Sequence, residues 1–264
     1  SFGNQRVGTT DDVKFANITG SNNISASGNL LITGNISGSS NLGANGDLYI
    51  GGNVTASGGF KATGVSLSNN DAGTSNTIFG KSAGLSLDAG SNFNVFIGEG
   101  VSTGSMNNAI NNVAMGYHAL STVTTGDNNV AIGDHSMMLN KSGEVNVAVG
   151  TSALRSNTGD QNTAVGGNAM YANVGGTNNT VVGHNAGDAM TTTGATVLIG
   201  KSAGSAINSA DADGTVAIGK DALAALTDGE NNIAIGHVAA DVLTVSNRNV
   251  IIGAEAFTTA ATAT

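Results

Sequence analysis

The stretch Asn129-Val130-Ala131-Ile132-Gly133 recurs with small changes from Asn76 to Gly253. Its closing glycines are Gly80, Gly98, Gly116, Gly133, Gly150, Gly166, Gly183, Gly200, Gly219, Gly236 and Gly253. These eleven copies span 173 residues in ten intervals, a mean of 17.3. A short fixed period restricts a chain to repeat architectures, in which each unit buries its apolar side against the next. The opening position is Asn76, Asn94, Asn112, Asn129, Asn146, Asn162, Asn179, Asn232 and Asn249, with Thr196 and Thr215 in two copies. Alanine falls three residues after the glycine in nine copies, among them Ala119, Ala153 and Ala222, with Val101 and Ser136 as exceptions. A long apolar residue often follows, as at Leu120, Met137, Leu154, Met170, Leu223 and Phe257. A glycine turn such as Thr125-Gly126-Asp127 or Ser142-Gly143-Glu144 then reverses the chain.

Composition narrows the architecture to β structure. Aromatic residues are 4% and charged residues 10% of the chain, proline and cysteine are absent, and there are 40 glycines. A globular core of this size needs more large side chains. A disordered chain carries more charge and more proline. Regular backbone pairing around a thin core remains, and a chain without proline loses no ladder donor. The formal net charge is −9 and no basic cluster is visible, so nucleic acid is not an expected partner. No apolar run approaches the ~18 residues of a membrane span, and no membrane insertion is expected. The absence of cysteine removes disulfides and thiolate metal sites. The opening Ser1-Phe2-Gly3 and the closing Ala260-Ala261-Thr262-Ala263-Thr264 suggest a piece of a longer chain.

Within one coil, Val130 and Ile132 point to one side of a strand and Ala131 to the other. The equivalents of Ala131 include Ala114, Ala148, Ala164, Ala217 and Ala234. All eleven residues of this column are apolar, so the strand is oily on both sides and both sides need cover. The expectation is that the coil's second strand covers the Val/Ile side. The small Ala side would then meet another chain, making Ala114, Ala131, Ala148, Ala164, Ala217 and Ala234 the candidate trimer interface. Stacking puts like on like, so the repeat asparagines are expected to form an amide ladder and to satisfy the turn backbone.

A different rhythm precedes this one. Ile18, Ile24, Leu30, Ile36, Leu42, Leu48, Val54 and Phe60 stand six residues apart. An even step places every marked side chain on one face of an extended chain. One large apolar group per hexad is too little for a chain folding alone. Coils of a solenoid and several chains wrapped about a narrow axis both answer this, and the second is favoured because eight hexads make fewer than three coils. The domain boundary is placed near Ser68. The expected organisation is thus a hexad-repeat intertwined β shaft over residues 1–67 and a β-roll repeat domain over residues 68–264.

Asn-Val-Ala-Ile-Gly followed by Ala resembles the head repeats of YadA-like trimeric autotransporter adhesins over about residues 76 to 257. That resemblance implies an all-β homotrimer of left-handed parallel β-rolls, here with coils of about 17 residues. The coil is longer than is usual in that family, and the chain shows no stalk heptads and no membrane anchor. Similar repeats occur in tail fibres of bacteriophages. The lead-in Val7-Gly8-Thr9-Thr10-Asp11-Asp12-Val13-Lys14-Phe15 and the hexads resemble fibre shaft segments. Together the two halves resemble a phage tail fibre more than a bacterial adhesin. The resemblance implies a virion appendage whose partners are other virion proteins and a host-cell surface receptor. The alternative location is a bacterial cell surface.

No motif makes a convincing active site, and no catalytic residue, cofactor or metal is expected. Gly-x-Ser-x-Gly occurs at Gly80–Gly84, Gly100–Gly104 and Gly200–Gly204, but two of these are the repeat itself and no helix pattern follows. Gly214 to Asp221 imitates a phosphate loop but ends in Asp where Ser or Thr should hold magnesium. His118, His135, His184 and His237 follow repeat glycines without a second histidine at ligand spacing, and read as surface positions. Asp127, Glu144, Asp160 and Glu230 recur at the turns. Calcium could bridge them, but a solvated acidic edge that discourages lateral association is favoured because the Gly-Gly-x-Gly-x-Asp calcium repeat is missing. Six Asn-x-Ser/Thr strings, at Asn17, Asn23, Asn35, Asn53, Asn140 and Asn179, are written by the repeats. The expected function is mechanical and adhesive, with receptor contact sought at Tyr117, His118, Asp134 and His135. A polysaccharide-cleaving tailspike ranks lower, because it needs paired carboxylates in a groove.

Overall fold

The computed structural model describes residues 75–258. The hexads, the Ser68 boundary and the shaft expected over residues 1–67 lie outside the described residues. Within them the chain is a parallel β-solenoid with one three-residue strand per coil. The strands are β1 (Thr77–Phe79), β2 (Val95–Ile97), β3 (Val113–Met115), β4 (Val130–Ile132), β5 (Val147–Val149) and β6 (Thr163–Val165). They continue as β7 (Thr180–Val182), β8 (Val197–Ile199), β9 (Val216–Ile218), β10 (Ile233–Ile235) and β11 (Val250–Ile252). All lie in one sheet in chain order, each pairing in parallel with the next, so that Ala131 stands beside Ala114 and Ala148. Ten steps of about 4.8 Å make a stack roughly 48 Å long. Among the described residues the helical content is one short 3-10 turn, Ala210–Ala212, in the longest interval between closing glycines.

The structure reverses the two faces expected of the strand. Ala114, Ala131, Ala148, Ala164, Ala217 and Ala234 point into the coil's own interior and are fully buried within the single chain. They are not available to a second chain. Covering them are the Ala three residues past the glycine and the residue after it, for example Ala119 with Leu120 and Ala153 with Leu154. The second side of the coil has no strand of its own and makes single rungs between neighbours, such as Met137 N–H to Ala153 O at 3.0 Å. Val130 and Ile132 face outward.

Interior volume is traded between the two walls. Where the strand residue is Ala, the opposite wall carries Leu120, Met137, Leu154, Met170 or Leu223, except in the coil of β10, where Ala234 faces Ala240. Where the strand residue is Ile78, Phe96, Val181 or Leu198, the same wall position is Gly84, Ser102, Gly187 or Gly204. A Cβ added at Gly204 would stand 3.0 Å from both Leu198 methyls, and one at Gly84 would stand 2.8 Å from Ile78 Cδ1. Close packing allows one large group per level, from either side.

Corners come from left-handed backbone. The residue before the asparagine and the second and fourth residues after the glycine all take positive φ, as at Asn128 (58°), His135 (55°) and Met137 (47°). The closing glycines stack backbone on backbone. A Cβ on Gly133, whose φ is 134°, would meet Gly150 O at 2.6 Å, which explains the strict glycine column.

The amide ladder forms as expected. Asn129 is fully buried. Its Oδ1 accepts the backbone N–H of Asn146 at 3.0 Å, and its Nδ2 donates to Gly143 O at 2.8 Å in the next turn. The pattern runs from Asn76 to Asn179, where Thr196 donates its hydroxyl to Asn179 Oδ1 at 2.8 Å. Among the described residues no side-chain bond joins Thr196 to Thr215. The column resumes where Asn249 donates its amide to Asn232 Oδ1 at 2.9 Å. A second set, Asn140, Asn157 and Asn173, is also buried and ties the turns. Asn140 Oδ1 accepts Gly143 N–H at 2.8 Å, and Asn173 donates to Asn157 Oδ1 at 2.6 Å.

Candidate functional site

The outer face of the sheet is the largest apolar surface that the coils leave open. Two apolar columns run its length, one through Val113, Val130 and Val147, the other through Met115, Ile132 and Val149. Ile132 is 36% exposed, Ile199 38% and Met115 42%, rising to 67% for Val250 and Ile252 at one end. Eleven three-residue strands present a flat area on the order of 500 Å². All-parallel sheets almost always have both faces covered, because their strands are apolar on both sides. Here one face is covered by the coil and the other is open within the single chain. Only Thr77, Thr163 and Thr180 interrupt the two columns with a hydroxyl.

Two rims border this face. The glycine-side rim consists of the two residues after each closing glycine, and all four histidines of the chain stand on it. The sequence shows no histidine pair, because the pairing acts across one coil. His118 and His135 stack with ring centroids 5.7 Å apart and planes 21° apart. Tyr117 sets its ring edgewise to both, at 4.2 and 5.4 Å, and Asp134 lies 3.0 Å from His135 Nδ1. The expected contact residues Tyr117, His118, Asp134 and His135 are therefore one cluster. His184 and His237 lie further along the same rim. Among the described residues no three His, Cys, Asp or Glu side chains converge as a metal site.

The turn-side rim consists of the two residues before each asparagine. Asp127, Glu144, Asp160, Asp213 and Glu230 lie on it. Several are occupied by the backbone: Asp127 accepts Ile110 N–H at 2.7 Å, Asp160 accepts Glu144 N–H at 2.8 Å and Asp213 accepts Gly194 N–H at 2.6 Å. Each ties its coil to the preceding one through a donor that lies outside its own repeat. Near the start, Asp88 is held below the ordinary carboxylate range chiefly by the Ser91 hydroxyl, assisted by Asn108 N–H. On the opposite wall, burial pushes the Asp188 carboxyl up, partly offset by backbone hydrogen bonds and His184.

The motif strings fall into the same scheme. Ser102 is buried with its hydroxyl on Met106 Sδ at 3.0 Å, and the stretch from Gly214 to Asp221 runs through β9 rather than around a phosphate. Among the described residues no helix is long and apolar enough to cross a membrane. Comparisons with protein-family models, curated proteins and solved structures found no match.

Proposed function

We propose that the chain is a homotrimeric, structural and adhesive fibre segment of a bacteriophage virion, a tail fibre or related appendage that attaches to a host-cell surface. The open apolar face of the sheet carries this reading. Left in water, eleven parallel strands with Val and Ile outward expose an apolar face that association would cover. Closing three copies about a common axis covers each face with its neighbours and leaves none unsatisfied. The trimer of left-handed rolls implied by the repeat resemblance is such a closure, with Val130 and Ile132 at its axis in place of the alanines. Continuous backbone rungs and buried amide columns suit a stiff spacer. Three copies of any weak receptor contact add through avidity.

Sedimentation equilibrium tests the assembly. The expected mass is three times 25.8 kDa, and Ile132→Lys, which leaves the interior untouched, is expected to lower it. A monomer of the unaltered chain overturns the reading. Adhesion is tested by binding of labelled protein to bacterial cells, with loss expected for the dissociated variant. A bacterial adhesin passenger of the same fold would be indicated by an outer-membrane anchor encoded with the chain. Release of reducing sugar from host polysaccharide would indicate the tailspike reading instead.

A further inference from the structure

We infer that the two rims are the contact lines between copies: the glycine-side rim of one chain lies along the turn-side rim of the next, level with level. This rests on the homotrimer proposed above, and adds which edge meets which and through which residues.

The rims stand at opposite edges of one open face. A closed ring of more than two copies is built from unlike surfaces, because like-to-like contact pairs copies and stops. The charges follow the same rule coil by coil. In the coil of β9 the turn-side rim carries Asp213 and the glycine-side rim Lys220. In the coil of β10 the corresponding residues are Glu230 and His237. In the coil of β11 the rim charges have the opposite signs, Arg248 and Glu255, each one residue later in its coil than the residues just named. Like rims in contact would set Lys220 against Lys220 and Glu255 against Glu255. Unlike rims set each against an opposite charge, and for His237 against a carboxylate.

Contacts within the chain pair some of these charges along one rim, and none across the face. Arg248 pairs with Glu230, one coil away along the same rim, and Lys220 Nζ lies 2.5 Å from its neighbour Asp221 Oδ2. Neither pair crosses the face. Elsewhere the glycine-side rim carries Lys81, Glu99 and Lys201. Where a glycine-side carboxylate shares a level with a turn-side one, it already has a partner. Asp134, level with Asp127, is held by His135, and Asp221, level with Asp213, by Lys220.

The chain contains no cysteine, so introduced thiols report contact directly. The test is the double variant Arg248→Cys, Glu255→Cys, oxidised under native conditions and run without reductant. Within one chain the two positions are on the order of 15 Å apart across the extended strand, and a disulfide needs Cα atoms within about 7 Å. The expected result is a reducible three-chain band from the double variant, with Arg248→Cys and Glu255→Cys each uncrosslinked alone. Glu230→Cys, His237→Cys repeats the measurement one coil away, in case the first pair is locally misaligned. Dimers from either single variant would show that like rims meet and overturn the inference. A native mass of three chains with neither pair crosslinked overturns it too, leaving the homotrimer standing. A monomeric native mass removes both.

Discussion

The exchange of volume between the two walls of the coil makes a quantitative prediction in the coil of β5. Leu154 is fully buried, with φ 49°, opposite the equally buried Ala148. Leu154→Gly removes a core side chain, which costs about 2–5 kcal/mol in close-packed interiors. About 1 kcal/mol returns because glycine takes the left-handed corner without strain. Ala148→Leu alone forces a second large group into a filled level, costing about 1–3 kcal/mol. Independent effects would sum to roughly 2–7 kcal/mol. The double variant instead rebuilds the Leu198/Gly204 arrangement, and is expected within about 2 kcal/mol of the unaltered chain. Chemical unfolding at one fixed chain concentration, followed by circular dichroism, measures all four proteins. A double variant as unstable as the two singles combined would refute the idea that the walls share one volume.

Three further outcomes follow from the geometry. Asn129→Ala strands the buried N–H of Asn146 and removes one of two donors from the carbonyl of Gly143, which keeps Asn140 Nδ2, and is expected to cost about 1–3 kcal/mol, read from the same unfolding curves. Val145 is 51% exposed with φ 57°, a conformation β-branched residues avoid, so Val145→Asn is expected to raise stability by about 1 kcal/mol, seen as a higher melting temperature. Asp88 has a folded-state pKa below its ordinary 3.8. Its contribution is therefore complete above that value and is lost as pH falls through the lower folded pKa. A carboxyl NMR titration should find Asp88 below its ordinary value, and Ser91→Ala should move it up.

The sequence made the period and the columns legible for clear physical reasons. Gly133 must be glycine because a carbonyl occupies the place of its Cβ, and Asn129 recurs because each copy satisfies the next. What it did not disclose was the direction of the strand. Val130, Ala131 and Ile132 are all apolar, so alternation between oily and polar residues, the usual guide, was missing. A cue was present in another column: Ala131 is accompanied by Met137, whereas Leu198 is accompanied by Gly204, a compensation that makes sense only if both fill one interior. The Tyr117–His118–His135 cluster was hidden because its members touch across a coil. Asp127 and Asp160 looked free because their hydrogen-bond donors lie one coil back.

The interruption of the inner amide column at Thr196 and Thr215 has a mechanical meaning. Hydrogen-bonded amides polarise one another, and such a column strengthens as it lengthens. Here it is cut into a run of seven asparagines and a short run of two. The cut falls in the longest coil interval, where the 3-10 turn sits. A rod made this way has a parting line. Under axial load the block that carries Asn232 and Asn249 should part from the longer block as a unit.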